Sequence, residues 1–402
     1  MLGQATAFVN AHPWSNGFIA RRATRPLILA TFVAFNLRSV ILGVTPVLPT
    51  IRSDLHLSFA LSGALTSLPF LCLGLFAVPG ALLSNLIGPR RLIAAATAAI
   101  ALGAFLRVLD PAVLLLYLGT LVVGIGTAIA QPPASAVVRG WFPAQIQRVS
   151  AIYTAGLNLG GAVATTSTVY LLPVVGWRGT FIVWGVPALL ACSLWLVLAP
   201  RDELEAAAPS HLAALLHNPQ VWRAGVLFAA QSAVYVTAVT WLPFLMHAKG
   251  QNASALVLLL LGLSVLGMAV VLISIRGTFA TSRTYYLAAG GVTLVGSLGL
   301  VLGLTGLAWL FVILAGAGSS MAFTGSMALP PLLARAQGEV AGYSALMLTI
   351  GYLLAFFGPL LGGVLLDATG VLTAPFLVLV VGALGMIAMG FTFSPSRAPR
   401  RA

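Results

Sequence analysis

The stretch AFNLRSVILGV, Ala34 to Val44, sets an arginine among apolar residues. Arg38 lies near the middle of a longer apolar run from Pro26 to Thr50, about 12 residues or roughly 18 Å from either end. A guanidinium at the centre of a bilayer costs about 3 kcal/mol on insertion scales. Its side chain spans only several Å, so it cannot carry the charge to an interface. A buried carboxylate is the ordinary partner for such a group. The seven acids are Asp54, Asp110, Asp202, Glu203, Glu205, Glu339 and Asp367, and each falls in a loop or at a helix end. Arg38 must therefore draw on backbone carbonyls and Asn or Gln amides, on cavity water, or on an anion that comes and goes. Two roles follow: direct contact with a substrate in a cavity, or a brace between helices through neutral acceptors. The forked donors of guanidinium suit a small anion or a nitro group.

Other polar residues in apolar segments form helical stripes. Thr31, Arg38 and Thr45 recur at seven-residue steps on one face. Asn36 lies about 200° from Arg38 at roughly 100° per residue and faces another direction. Thr127, Gln131 and Ser135 recur every four residues, as do Thr154 and Asn158, with Thr165 further along. Gln231 and Tyr235 form a similar pair, and Thr349, Tyr352 and Phe356 share a face. Such stripes either line a wet cavity or make hydrogen bonds within and between helices, a common use of these side chains in membranes. From them we take Arg38, Asn36, Thr45, Gln131, Asn158, Gln231, Tyr235 and Tyr352 as candidate solute-binding residues. The candidate catalytic and metal sets are empty, and no cofactor is expected.

The elements that must position these groups follow from composition. The chain has 402 residues, 60% hydrophobic and 7% charged, with a mean hydropathy of +1.05. An ordinary soluble domain carries roughly 25% charged residues, so this chain lacks a soluble surface and reads as a polytopic membrane protein. Its net charge of +13 is spread singly or in pairs between apolar runs, without the basic stripe of a nucleic-acid binder. Cys72 and Cys192 both fall in apolar spans and read as packing residues. No Ser-His-Asp grouping, metal cluster or nucleotide loop supports an enzyme. With about 20 apolar residues per span, twelve transmembrane helices are expected near 26–49, 60–86, 91–109, 112–136, 149–173, 179–199, 221–246, 253–275, 284–305, 307–329, 342–366 and 371–393.

The polar stretch 200–220 reads as a linker, giving an N-terminal six-helix bundle over 1–199 and a C-terminal one over 221–402. With the N-terminus inside, Arg21, Arg22, Arg25, Arg90, Arg91, Arg139, Arg148, Arg201, Arg223, Arg276, Arg283, Arg335, Arg397, Arg400 and Arg401 lie on the cytoplasmic side. Arg52, Arg107, Arg178 and Lys249 lie outside. By the positive-inside rule both termini and the linker are cytoplasmic. The basic cluster before the first span reads as its flank and not as a cleaved signal. Abundant Arg and Ala beside a single Lys suggest a bacterial source, hence the inner membrane.

The two halves share local patterns. RSVILGVTPVLP (Arg38–Pro49) and SAVYVTAVTWLP (Ser232–Pro243) have one length and both close on Leu-Pro. GIGTAIAQPP (Gly124–Pro133) and GAGSSMAFTG (Gly316–Gly325) share a Gly-x-Gly, each in the fourth span of its half. Parallel six-helix halves with a cytoplasmic linker resemble the major facilitator superfamily over the whole chain. Asn36-Leu37-Arg38, PVLPTIRSDL (Pro46–Leu55), LTSLPFLCLG (Leu65–Gly74) and Gly124–Pro133 resemble its cyanate and 2-nitroimidazole transporter branch. The resemblance implies an all-α membrane protein of two pseudo-symmetric six-helix bundles that binds a solute at the midplane and rocks between two faces. It departs at the loop after the second span. There Ala81, Asn85 and Leu86 stand where the superfamily has Gly, Asp and Arg, and only Gly88-Pro89-Arg90-Arg91 remains. Arg90 and Arg91 then read as inside anchors. Gly156, Gly160 and Gly161, and Gly358, Gly362 and Gly363, read as close-packing faces.

The functional expectation is a monomeric carrier in a lipid bilayer for a small anionic or polar planar solute of the cyanate or nitroimidazole type. No acid or central histidine offers a proton relay, so facilitated diffusion, exchange, or proton movement carried by the solute is expected. The alternatives are a proton-coupled multidrug efflux antiporter and a non-transporting membrane sensor.

Overall fold

Prolines and glycines punctuate the helices of the computed structural model, which describes residues 17–109, 112–142, 146–200, 215–248, 282–304, 307–333 and 339–393. Helix α1 (Gly17–Leu42) carries Arg38 and stops one turn later. Pro46 has no N–H to offer the Leu42 carbonyl, and the Thr45 hydroxyl donates to it instead at 2.9 Å. A 3₁₀ turn at Thr45–Val47 then leads into α2 (Leu48–Asp54). Together Arg25–Asp54 is long and apolar enough to cross a membrane. Ser58 caps α3 (Phe59–Ile87), its hydroxyl accepting from the Leu61 N–H at 3.1 Å. Gly88, at φ +83°, ends α3, and Pro89 opens α4 (Pro89–Leu106), the usual division of labour between these two residues.

Helix α5 (Ala112–Trp141) precedes α6 (Ile146–Leu198), a 53-residue element. Straight, it would run roughly 80 Å at 1.5 Å per residue, far more than a bilayer. Gly176, at φ +65° and ψ 174°, breaks it, so α6 supplies the two spans expected at 149–173 and 179–199. After residue 215 come α7 (Pro219–Ala248), α8 (Arg283–Val301), α9 (Ala308–Leu333), α10 (Glu339–Ala355), α11 (Phe357–Thr369) and α12 (Leu377–Gly390). The span expected at 253–275 lies outside the described residues, as does most of the 200–220 stretch.

α1 packs on α6, α3 on α5, and α4 on α5 and α6. Later in the chain α7 packs on α10 and α12, and α8 on α9 and α12. The early and late sets meet where α3 lies against α10 and α11, and where the 3₁₀ turn and α2 touch α7. Leu102, Leu114, Leu190, Val295 and Val381 remain more than half exposed. In water so much exposed apolar surface would drive aggregation; in a bilayer it is what faces the acyl chains.

Arg107 differs from its expected loop setting. It is fully buried, its Nη1 donates to the Val40 carbonyl of α1 at 3.1 Å, and its guanidinium lies 5.3 Å from the Phe181 ring centre. Close approach of α4 and α5 covers it: a Cβ on Gly103 would sit 2.6 Å from the Gly119 carbonyl. Arg90 donates to the Leu196 carbonyl and its own carbonyl accepts from Trp195 Nε1 at 3.0 Å, tying the start of α4 to the end of α6.

Candidate functional site

Arg38 opens onto a cavity of about 60 Å³ between the early and late helices. One wall comes from α1, α3 and α6: Arg38, Leu42, Phe70, Asn158 and Gly161. The other comes from α7, α9 and α10: Gln231, Ser232, Tyr235, Val236, Ser319, Ser320, Phe323 and Tyr352. The pairs Arg38/Leu42, Gln231/Tyr235 and Ser319/Phe323 are each four residues apart, so each helix presents one stripe. Gly161 lets α6 approach: a Cβ there would lie 3.2 Å from Arg38 Cγ. At the adjacent residue, a Cβ on Gly160 would sit 2.0 Å from the carbonyl of Phe35, one turn before Arg38 on α1. The close-packing face expected in the fifth span is thus what seats α1 and points Arg38 inward.

Five of the candidate residues, Arg38, Asn158, Gln231, Tyr235 and Tyr352, line this cavity. Asn36, Thr45 and Gln131 are not among its lining residues. Asn36 is fully buried and donates to the Phe32 carbonyl of its own helix at 2.8 Å. Thr45 serves the α1 terminus, and Gln131 is half-buried on α5. Thr127 and Thr165 also donate back to carbonyls in their own helices, Val123 and Gly161. Ser232, Ser319 and Ser320 are polar lining residues the stripes did not single out. The signal for the last two was present in GAGSSMAFTG, where Ser319 and Phe323 are four apart.

The polar groups of the second wall are organised. Gln231 Nε2 donates to Ser232 Oγ at 2.6 Å, and Ser319 Oγ donates to the Gln231 carbonyl at 3.1 Å. Tyr352 is held by rings: Phe70 at 5.9 Å and Phe228 at 5.1 Å between centroids. Among the described residues, the lining includes one cation and no carboxylate or imidazole. Among the described residues the one salt bridge is Asp54–Arg178 at 3.5 Å, remote in sequence from Arg38. Electrostatically the cavity is a single positive charge surrounded by hydroxyls and amides. It can attract a small anion and bond its remaining lone pairs.

Beyond the cavity the helices close on one another. One turn from Phe70 toward the start of α3, Thr66 Oγ1 accepts from Thr240 Oγ1 at 3.1 Å. Next to it, Trp241 Nε1 donates to the Pro359 carbonyl at 3.1 Å.

The Major Facilitator Superfamily profile matches residues 27–356. The chain belongs to that superfamily. Among curated relatives of this superfamily chain, the uncharacterized transporter YycB of Bacillus subtilis (strain 168) is 28% identical over 376 residues, covering 89% of this chain and 90% of the relative. The cyanate transport protein CynX of Escherichia coli (strain K12) is 27% identical over 386 residues, 93% of this chain and 98% of the relative. The 2-nitroimidazole transporter of the same organism is 28% identical over 366 residues, 89% and 92%. A bacterial homolog of the human lysosomal transporter Spinster, crystallised inward-facing and occupied, shares the fold with a TM-score of 0.76. It is 17% identical and the match covers 93% of this chain and 99% of that one. The major facilitator fold expected from the repeats is therefore this protein's fold, and the protein is a membrane transporter.

Proposed function

We propose that this facilitator carries a small anionic or polar planar solute, cyanate-like or nitroimidazole-like, by alternating access, with Arg38 in contact with the cargo. The observation that carries the reading is the cavity itself: Arg38, Asn158, Gln231 and Tyr235 converge there, and none of its described lining residues is a carboxylate. A charge-assisted hydrogen bond contributes about 1.5–3 kcal/mol, enough to make an anion the preferred occupant. The volume suits a solute of a few heavy atoms. The names of the relatives point to the same chemical range.

The same proposal divides the chain into 1–199, a linker at 200–220, and 221–402, and sets it in a bacterial inner membrane with both termini cytoplasmic. Support for the orientation comes from the fifteen basic residues assigned above to one side against four on the other. The α2 and α3 N-terminal end then faces outward. Uptake into proteoliposomes across a panel of small anions and neutral planar solutes tests the reading. Wild type is expected to take up at least one small anion or nitroheteroarene, and Arg38→Ala to lose at least about tenfold of that rate, the loss of one charge-assisted contact. Equal rates in the two proteins contradict it.

A further inference from the structure

The outer mouth carries a device that the cavity does not explain. Helix α3 begins with N–H groups that have no partner inside the helix. Ser58 Oγ accepts from Leu61, and the Ser58 carbonyl accepts from Ser62. The two that remain are taken by a residue 307 and 308 positions away: Asp367 Oδ1 accepts from the Phe59 N–H at 3.0 Å, and Oδ2 from the Ala60 N–H at 2.7 Å. Asp367 lies near the end of α11, so its carboxylate joins the late helices to the positive end of an early one. Negative charge is favoured there by the aligned peptide dipoles.

Phe59 ties this contact to the seal beneath. Its ring packs against Phe244 and Trp241, with centroids 5.7 and 6.1 Å away, and Arg52 lies 3.6 Å over its face. Trp241 in turn bonds the Pro359 carbonyl of α11. Backbones meet along the same seam: a Cβ on Gly363 would sit 2.4 Å from the Phe59 carbonyl. From the cavity outward the order is Thr66–Thr240, Trp241–Pro359, Phe59 and then Asp367. Moving α3 away from α7 and α11 must break the Thr66–Thr240 bond, the packing of Phe59 on Trp241 and Phe244, and the Asp367 bonds, whereas Trp241–Pro359 joins two late helices and stays intact. Asp367 is the exposed, outermost contact of the seam.

We propose that Asp367 is the latch of the outer gate: its carboxylate holds α3 against α11 and stabilises the state closed to the outside. The inference rests on the alternating-access reading. Asp54 offers an internal control, because it is also an acid at this mouth but is bonded within the early helices, by Trp177 Nε1 at 2.9 Å. Removing Asp54 leaves the α3–α11 seam intact.

The test is reactivity of Thr66→Cys in a Cys72→Ala/Cys192→Ala background toward a polar maleimide. It is run on purified protein in detergent, where both mouths meet the reagent and orientation does not enter. No cargo is present, so a failure of the Arg38 reading leaves this result untouched. Asp367→Ala is expected to label at least about threefold faster than the parent, and Asp54→Ala at the parent rate. A smaller rise in Asp367→Ala, or an equal rise in Asp54→Ala, overturns the proposal. Should Asp367→Ala not purify as a monodisperse species, Asp367→Asn is judged by the same threshold, since it keeps an acceptor oxygen and drops the charge.

Discussion

Arg38 opens onto a cavity whose other described lining residues are neutral, with no carboxylate among them to cancel its charge. Residues that bond cargo beside it should tune affinity and leave folding intact. Gln231→Ala removes an amide from the second wall and frees Ser232 Oγ from its 2.6 Å partner. Its KM in a transport assay is expected to rise about threefold to tenfold, the range for a neutral hydrogen bond, with thermal stability close to wild type. Asn36→Ala is expected to change KM less than about twofold, because Asn36 is buried against Phe32 in its own helix. The sequence separated these two roles only partly. The angular offset of Asn36 from Arg38 was readable from 100° per residue, but the neighbour its side chain would meet was not. Thr45 shares Arg38's seven-residue stripe, yet Pro46 ends the regular helix and converts that hydroxyl into a terminal donor. Ser319 and Ser320 carry little signal in the sequence because their helix, α9, is apolar on most sides and both fall inside the repeat GAGSSMAFTG.

At the scale of the element, small residues decide where the polar stripes point. α1 and α6 touch through Gly156, Gly160 and Gly161, and at Gly160 a methyl has no room beside the Phe35 carbonyl. Gly160→Ala is expected to destabilise the protein by about 1–3 kcal/mol, the common range for overpacking, seen as a lower unfolding midpoint in detergent. Solute binding should weaken with it, since Arg38 lies one turn from Phe35. A wild-type midpoint and affinity would show that α1 is seated otherwise. The glycine spacing marked this face in the sequence, but which helix it received had to come from the structure. The length of α6 shows the same division: two spans were legible from hydropathy, while the hinge at Gly176 needed its positive φ. Arg107 is the counterexample, an arginine at a span end that close helix approach buries completely.

At the scale of the molecule, scarcity of charge and span length made the fold readable, and the weak repeats gave its internal symmetry. What they could not give was how the early and late helices meet, because that seam depends on a few side chains such as Phe59, Trp241 and Tyr352. The shared cavity has consequences for energy coupling. Its described lining residues hold no carboxylate and no imidazole, the side chains that ordinarily titrate nearest the neutral range. With membrane voltage clamped, an imposed pH gradient is expected to change uptake of a permanent anion by less than about twofold. Strong acceleration of a neutral drug's movement by the gradient would instead favour proton-coupled efflux.

The central claim is that the Arg38 guanidinium is the charge that cargo binds. Direct titration of purified protein with the best transported small anion tests it without assuming a direction or a coupling ion. Wild type is expected to bind saturably, Arg38→Lys more weakly because it keeps the charge and loses the planar fork, and Arg38→Ala at least about tenfold more weakly than wild type. An affinity in Arg38→Ala equal to that of wild type would contradict the account.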